Sequence, residues 1–143
     1  MNQDTIALLK ECSSGCKMAQ KSVKHVQEYT NSEKLNSLLQ AYAEKHMQLD
    51  KEIAVLLSKY DKEESEPKIM AVAGAWMNVE VKMAMHQEDR QVAKLMMDGC
   101  NMGIQSVSEY VNKYPAASQE SRNLAKQLIK VEEDFMKEMK EFV

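Results

Sequence analysis

The side chains in this sequence able to do chemistry are thiols, imidazoles and carboxylates, and spacing decides which of them meet. Cys12 and Cys16 stand four apart and share one face of a helix. Two thiolates one turn apart suit a soft cation such as Cu(I), and the chain's 12 methionines offer thioethers of similar character. His46 falls level with Cys16 when both are counted back from the turn between their helices. A Cys–His pair makes either an activated nucleophile or two ligands of a zinc site. The structural alternative is a core histidine hydrogen-bonded to a neighbouring helix, with both cysteines acting as small hydrophobes.

Those residues need helices to hold them, and the apolar spacing supplies them. Thr5, Leu9, Cys12, Cys16, Ala19, Val23 and Val26 recur in alternating steps of three and four, the seam of a helix packed in a bundle. Ala93, Met97, Cys100, Ile104, Val107, Val111 and Tyr114 repeat that spacing, so Gly103 takes the place of Gly15. In the second helix of each hairpin, Leu35, Leu39, Tyr42, His46, Leu49 and Ile53 match Leu124, Leu128, Val131, Phe135, Glu138 and Phe142. The chain therefore reads as an internal repeat of two helical hairpins.

The spacing predicts helices over 4–29 and 33–60, a third after Pro67 running to about His86, a fourth ending near Tyr114, and a last one capped by Ser118 or Ser121. Nearly thirty residues separate the two hairpins, whereas antiparallel neighbours need only about 2–8. A connection that long lets the helix after the crossover run parallel to the helix before it. Gly15 and Gly103 both fall near mid-height, which predicts a close helix crossing there, extended by Gly99.

With 143 residues, four glycines and two prolines, the chain reads as one all-α domain over 1–143. A net charge of -3 and the lack of a basic, aromatic-bearing face argue against nucleic acid as a partner. The stretch 69–85 contains Asn78, Glu80 and Lys82 and is shorter than the ~20 residues a membrane span needs. The first residues lack the pattern of a secretion signal, and three cysteines form no disulfide framework. A cytoplasmic location is the expectation.

The run from Cys100 to Val107 (Cys-Asn-Met-Gly-Ile-Gln-Ser-Val), the paired helices and the long crossover resemble bacterial ferritin-like domain proteins. The segment from Leu38 to His46 (Leu-Leu-Gln-Ala-Tyr-Ala-Glu-Lys-His) resembles the spore coat F type of ferritin-like domain. The resemblance implies a ferritin-like four-helix bundle made of two pseudo-repeated hairpins joined by a long, partly helical crossover. It implies no activity, because many members of that superfamily have lost their metals. Cys12-x-x-x-Cys16 also looks like one of the inward pairs of copper-storing bundles, but it is a single pair, and the topology sets Cys100 about 15 Å from Cys12 along the axis.

A di-iron centre needs a Glu from each of two helices and Glu-x-x-His from each of the others. Here Glu11 lies off the first seam, Glu44 is two residues from His46 and faces away, and Glu133 repeats the position of Glu44. Only Glu138 stands on a seam as a carboxylate, and Phe135 takes the place of His46. No Gly-rich phosphate loop and no Ser-His-Asp order appear. The expectation is a non-catalytic bundle without cofactor, acting by self-association or by binding a protein. Its alternative is a soft-metal (copper or zinc) bundle using Cys12, Cys16 and His46. The crossover is apolar around most of its circumference, so Met70, Trp76 and Met77 are the expected contacts of a homodimer.

Overall fold

The computed structural model describes residues 2–60 and 88–143. Among them are four long helices and no strand: α1 (Asn2–Gln27), α2 (Glu33–Ser58), α3 (Asp89–Lys113) and α4 (Gln119–Met139), the last followed by a 3-10 turn over Lys140–Phe142. This is an all-α four-helix bundle. Met70, Trp76, Met77 and the helix expected between 67 and 86 lie outside the described residues.

Local chemistry sets the helix starts. Ser32 and Ser118 cap α2 and α4, their hydroxyls accepting from the backbone N–H of Leu35 and Ser121. Asp4, expected as the cap of the first helix, instead sits in its first turn, two residues after the start. From there its carboxylate serves the opposite hairpin.

The two hairpins are clasped at both ends of the bundle. At one end the Asp89 carboxylate, on the first residue of α3, accepts from Asn31 N at 2.8 Å and Ser32 N at 2.9 Å, in the α1–α2 turn. At the other end the α3–α4 turn donates from Ala116 N to Asp4 Oδ2 at 3.0 Å and from Ser118 N to Thr5 Oγ1 at 2.8 Å. These contacts fix direction: α3 starts where α2 starts and ends where α2 ends. The two helices run parallel, as the long crossover predicted, and the most extensive contact between the hairpins is α2 against α4, ahead of α1 against either α3 or α4.

The core divides into two apolar clusters along the bundle axis. One gathers Val23, Val26, Leu35, Leu39, Tyr42, Val92, Met96, Cys100, Phe135 and Met139 around the end where α2 and α3 begin. The other gathers Leu8, Leu9, Cys12, Cys16, Leu49, Ile53, Leu57, Val107, Ala125 and Leu128 around the opposite end. His46 on α2 and Glu132 on α4 occupy the junction, each with one cluster a turn before it and the other a turn after it.

The structure shifts the seam expected for α4. The buried positions are Ser121, Leu124, Ala125, Leu128, Glu132, Phe135 and Met139. Glu138 is exposed, and Val131 and Phe142 are only partly covered. The apolar residues were the wrong guide: after Leu128 the helix turns Glu132, not Val131, most fully inward. The glycines also face differently from expectation. A Cβ on Gly15 would meet Leu128 at 3.9 Å, one on Gly103 would meet Glu132 Cδ at 3.4 Å, and nothing lies within 4 Å of one on Gly99. Gly15 and Gly103 thus look toward α4 and not toward each other.

Candidate functional site

Four side chains from three helices form a connected polar network at the junction. His46 is fully buried and Glu132 is 5% exposed. His46 Nε2 lies 2.6 Å from Glu132 Oε1, and Nδ1 lies 2.8 Å from the Tyr42 carbonyl oxygen one turn earlier. Tyr42 donates its phenolic proton to Glu132 Oε2 at 2.7 Å, and the Cys100 thiol donates to the Tyr42 oxygen at 3.7 Å. The Tyr42 ring stacks on Phe135 with centroids 4.1 Å apart and leans on His46 at 4.2 Å. Among the described residues, no buried side-chain nitrogen or oxygen lacks a hydrogen-bond partner.

Geometry fixes most of the protons. A backbone carbonyl only accepts, so Nδ1 of His46 carries hydrogen. Nε2 then faces Oε1 with one proton between them, held as imidazolium–carboxylate or as imidazole–carboxylic acid. Hydrogen bonding runs in one direction, from the Cys100 thiol through Tyr42 and Glu132 to His46 or back across that last proton. Burial, then the Glu132 charge and the Cys100 thiol, hold the Tyr42 phenol well above its ordinary range. Burial, with Glu132 beside it, also drives the Cys100 thiol far up, against a smaller lowering by Tyr42. Both groups therefore stay protonated donors near neutrality.

Cys12 and Cys16 are fully buried on the inner face of α1, as their spacing predicted. Burial, with a smaller push from Glu11, drives the Cys12 thiol from 9.0 to about 12. The Cys16 thiol is driven higher still, first by burial and then by Asp50, Cys12 and Glu132, against a smaller lowering by Lys17. Near neutrality both thiols are held protonated, so neither is a ready nucleophile, and a soft cation would have to displace the proton to bind. His46 does not serve Cys16 as a base, since its two ring nitrogens are engaged by Glu132 and Tyr42. Among the described residues, no group of three or more His, Cys, Asp or Glu is arranged to hold a metal ion.

A second polar cluster ties α1 to α2. Ser13 donates to Asp50 Oδ1 at 2.8 Å, and Lys17 Nζ reaches Ser13 Oγ at 2.9 Å and Asp50 Oδ2 at 3.1 Å. A serine beside a lysine resembles a nucleophile beside a base. Here the Lys17 ammonium is ion-paired with Asp50, and Ser13 has no exposed surface. The cluster is a joint between helices. On the outside, a surface groove between α2 and α4 has Leu56 and Leu124 at its base and Lys51, Glu52 and Glu120 along its rim.

Helical spacing turns His46 inward, as the structure has it, but does not single out Glu132. A signal for it exists in the sequence. His46 and Glu132 are 86 positions apart, and so are the two capping serines, Ser32 and Ser118. Counted from the caps, the imidazole and the carboxylate occupy the same place in their helices. Aligning the apolar residues instead put His46 opposite Phe135.

No family model matches the chain, and no curated protein matches it. Among solved structures it is similar to a DUF305 fragment from Deinococcus radiodurans, with a TM-score of 0.71 and 13% sequence identity over 96% of this chain and 93% of that one. At that identity the likeness is one of fold. These comparisons do not point to the ferritin-like or spore coat F families. No helix among the described residues is long and apolar enough to cross a membrane.

Proposed function

We propose that this chain is a non-catalytic bundle of ferritin-like type, without a di-iron centre, that works by associating with itself or with another protein. The observation that carries this reading is the mutual saturation of the central groups. Both oxygens of Glu132 and both ring nitrogens of His46 are taken by protein partners, so the residues best suited to ligate a metal are already used in holding α2 to α4. The high thiol pKa values of Cys12, Cys16 and Cys100 weigh in the same direction. The parallel course of α2 and α3 supports the ferritin-like arrangement, and the equal depth of His46 and Glu132 below their caps supports descent of the two hairpins from one repeated unit.

Self-association rests on the apolar crossover, with Met70, Trp76 and Met77 as its anchors. A cytoplasmic setting, where thiols stay reduced, fits three free cysteines. Elemental analysis of the purified protein together with its mass by light scattering tests both halves of the reading. The expected result is no stoichiometric metal and a mass twice that of one chain, reduced to one by Trp76→Ala. Stoichiometric copper or zinc lost on Cys16→Ala would replace it with the soft-metal reading, and stoichiometric iron with oxygen consumption would replace it with an oxidase.

A further inference from the structure

We propose that the proton held between His46 and Glu132 makes the joint between the two hairpins pH-sensitive, tightest in mild acid and looser as pH rises through neutrality. The inference goes beyond the association function and is independent of it. It starts from the geometry: Nδ1 is committed as a donor to the Tyr42 carbonyl, and Nε2 and Oε1 are 2.6 Å apart. Removing the shared proton would set a nitrogen lone pair against a carboxylate oxygen in a site with almost no solvent contact. Adding a second would place it on Oε2, where Tyr42 already donates, and would leave the core with an unbalanced positive charge.

The surroundings offer no substitute for that proton. Cys16 faces the pair from α1, Tyr42 from α2 and Cys100 from α3, and burial holds all three in their neutral, protonated form. Asp50, one turn beyond His46, is tied to Ser13 and Lys17. The geometry therefore keeps one proton between Nε2 and Oε1 in the folded site. In the unfolded chain, free Glu and His titrate near 4.3 and 6.5. Between those values both states hold one proton and stability is flat. Above about 6.5 unfolding releases the proton, and stability falls as pH rises.

Glu132→Gln reverses the sign. The Gln amide keeps the network whole, its N–H donating to Nε2 and its oxygen accepting from Tyr42, but His46 is then neutral in the folded protein. Unfolding takes up a proton below about 6.5, so this variant loses stability toward acid and is flat above neutrality. Urea unfolding of the full chain and of E132Q at pH 5 and pH 8 tests this. From pH 5 to 8 the unfolding constant is expected to rise about thirtyfold in the parent and to fall about thirtyfold in E132Q, from one linked proton in each. Groups outside the pair cancel in the ratio of the two proteins. A ratio that stays constant across this range would overturn the proposal. If E132Q does not fold, the ring 15N shifts of His46 in the parent decide: they should not move between pH 5 and 8, and a sigmoidal titration there would refute it.

Discussion

Gly103 on α3 lies directly against Glu132 on α4: a Cβ on the glycine would stand 3.4 Å from the carboxylate carbon and 3.6 Å from Oε2. A methyl group there would just touch the buried carboxylate, so the space between Gly103 and Glu132 has no room for a larger side chain. Gly99, one turn away, has nothing within 4 Å of its Cβ position.

The two glycines should respond differently to substitution. Gly99→Ala should stabilise by about 0.5–1 kcal/mol, the gain in helix propensity alone. Gly103→Ala fits at ordinary contact distance and should be close to neutral or mildly stabilising. Gly103→Leu has to displace Glu132 and should destabilise by about 1–3 kcal/mol. Thermal or urea unfolding of the three variants checks the order.

Tyr42→Phe keeps the ring stacked on Phe135 but leaves Glu132 Oε2 without its donor. Leaving a buried acceptor unsatisfied costs about 1–3 kcal/mol. Urea denaturation should show a lower midpoint with an unchanged m value. A midpoint equal to the parent's would mean that water or another donor serves that oxygen.

The buried thiols predict both reactivity and alkaline stability. At pH 8 an aromatic disulfide reagent should modify the native protein only as fast as it opens, and all three cysteines at once in urea. The Cys12 thiol rises from 9.0 to about 12 in the folded chain. A group raised on folding contributes stability that is present below its unfolded pKa and lost as pH climbs through the folded one. Stability should therefore decline from about pH 9 toward 12, and Cys12→Ala should flatten that decline.

The clasps at the two ends should act independently. Asp89→Ala frees Asn31 and Ser32 N–H and should speed their hydrogen exchange while leaving Ser118 unchanged. Thr5→Val should do the reverse, exposing Ser118 N–H alone. Each is expected to cost about 1 kcal/mol of stability.

The sequence made the helical hairpins, the capping serines and the inward turn of His46 legible because each follows from a local rule: apolar period, cap chemistry, loop length. Glu132 was not legible by the same rules. It lies next to Val131, and an apolar-period reading prefers the valine. What draws Glu132 inside is the imidazole of His46 and the phenol of Tyr42 on another helix, partners that only the packing of α2 on α4 brings into reach. The glycines were misread for a related reason. Their depth along the axis followed from helical rise, but their azimuth depends on which neighbour the bundle places beside them.

The Asp89 and Asp4 clasps also set a minimum length for the chain between Tyr60 and Glu88. Because α2 ends and α3 begins at opposite ends of the bundle, that chain bridges a helix of 26 residues, about 39 Å. Even fully stretched, it needs about 11–12 residues to do so. Trimmed below that span, a polypeptide with these same two hairpins could no longer join them within one molecule, and closure would require hairpins traded between copies.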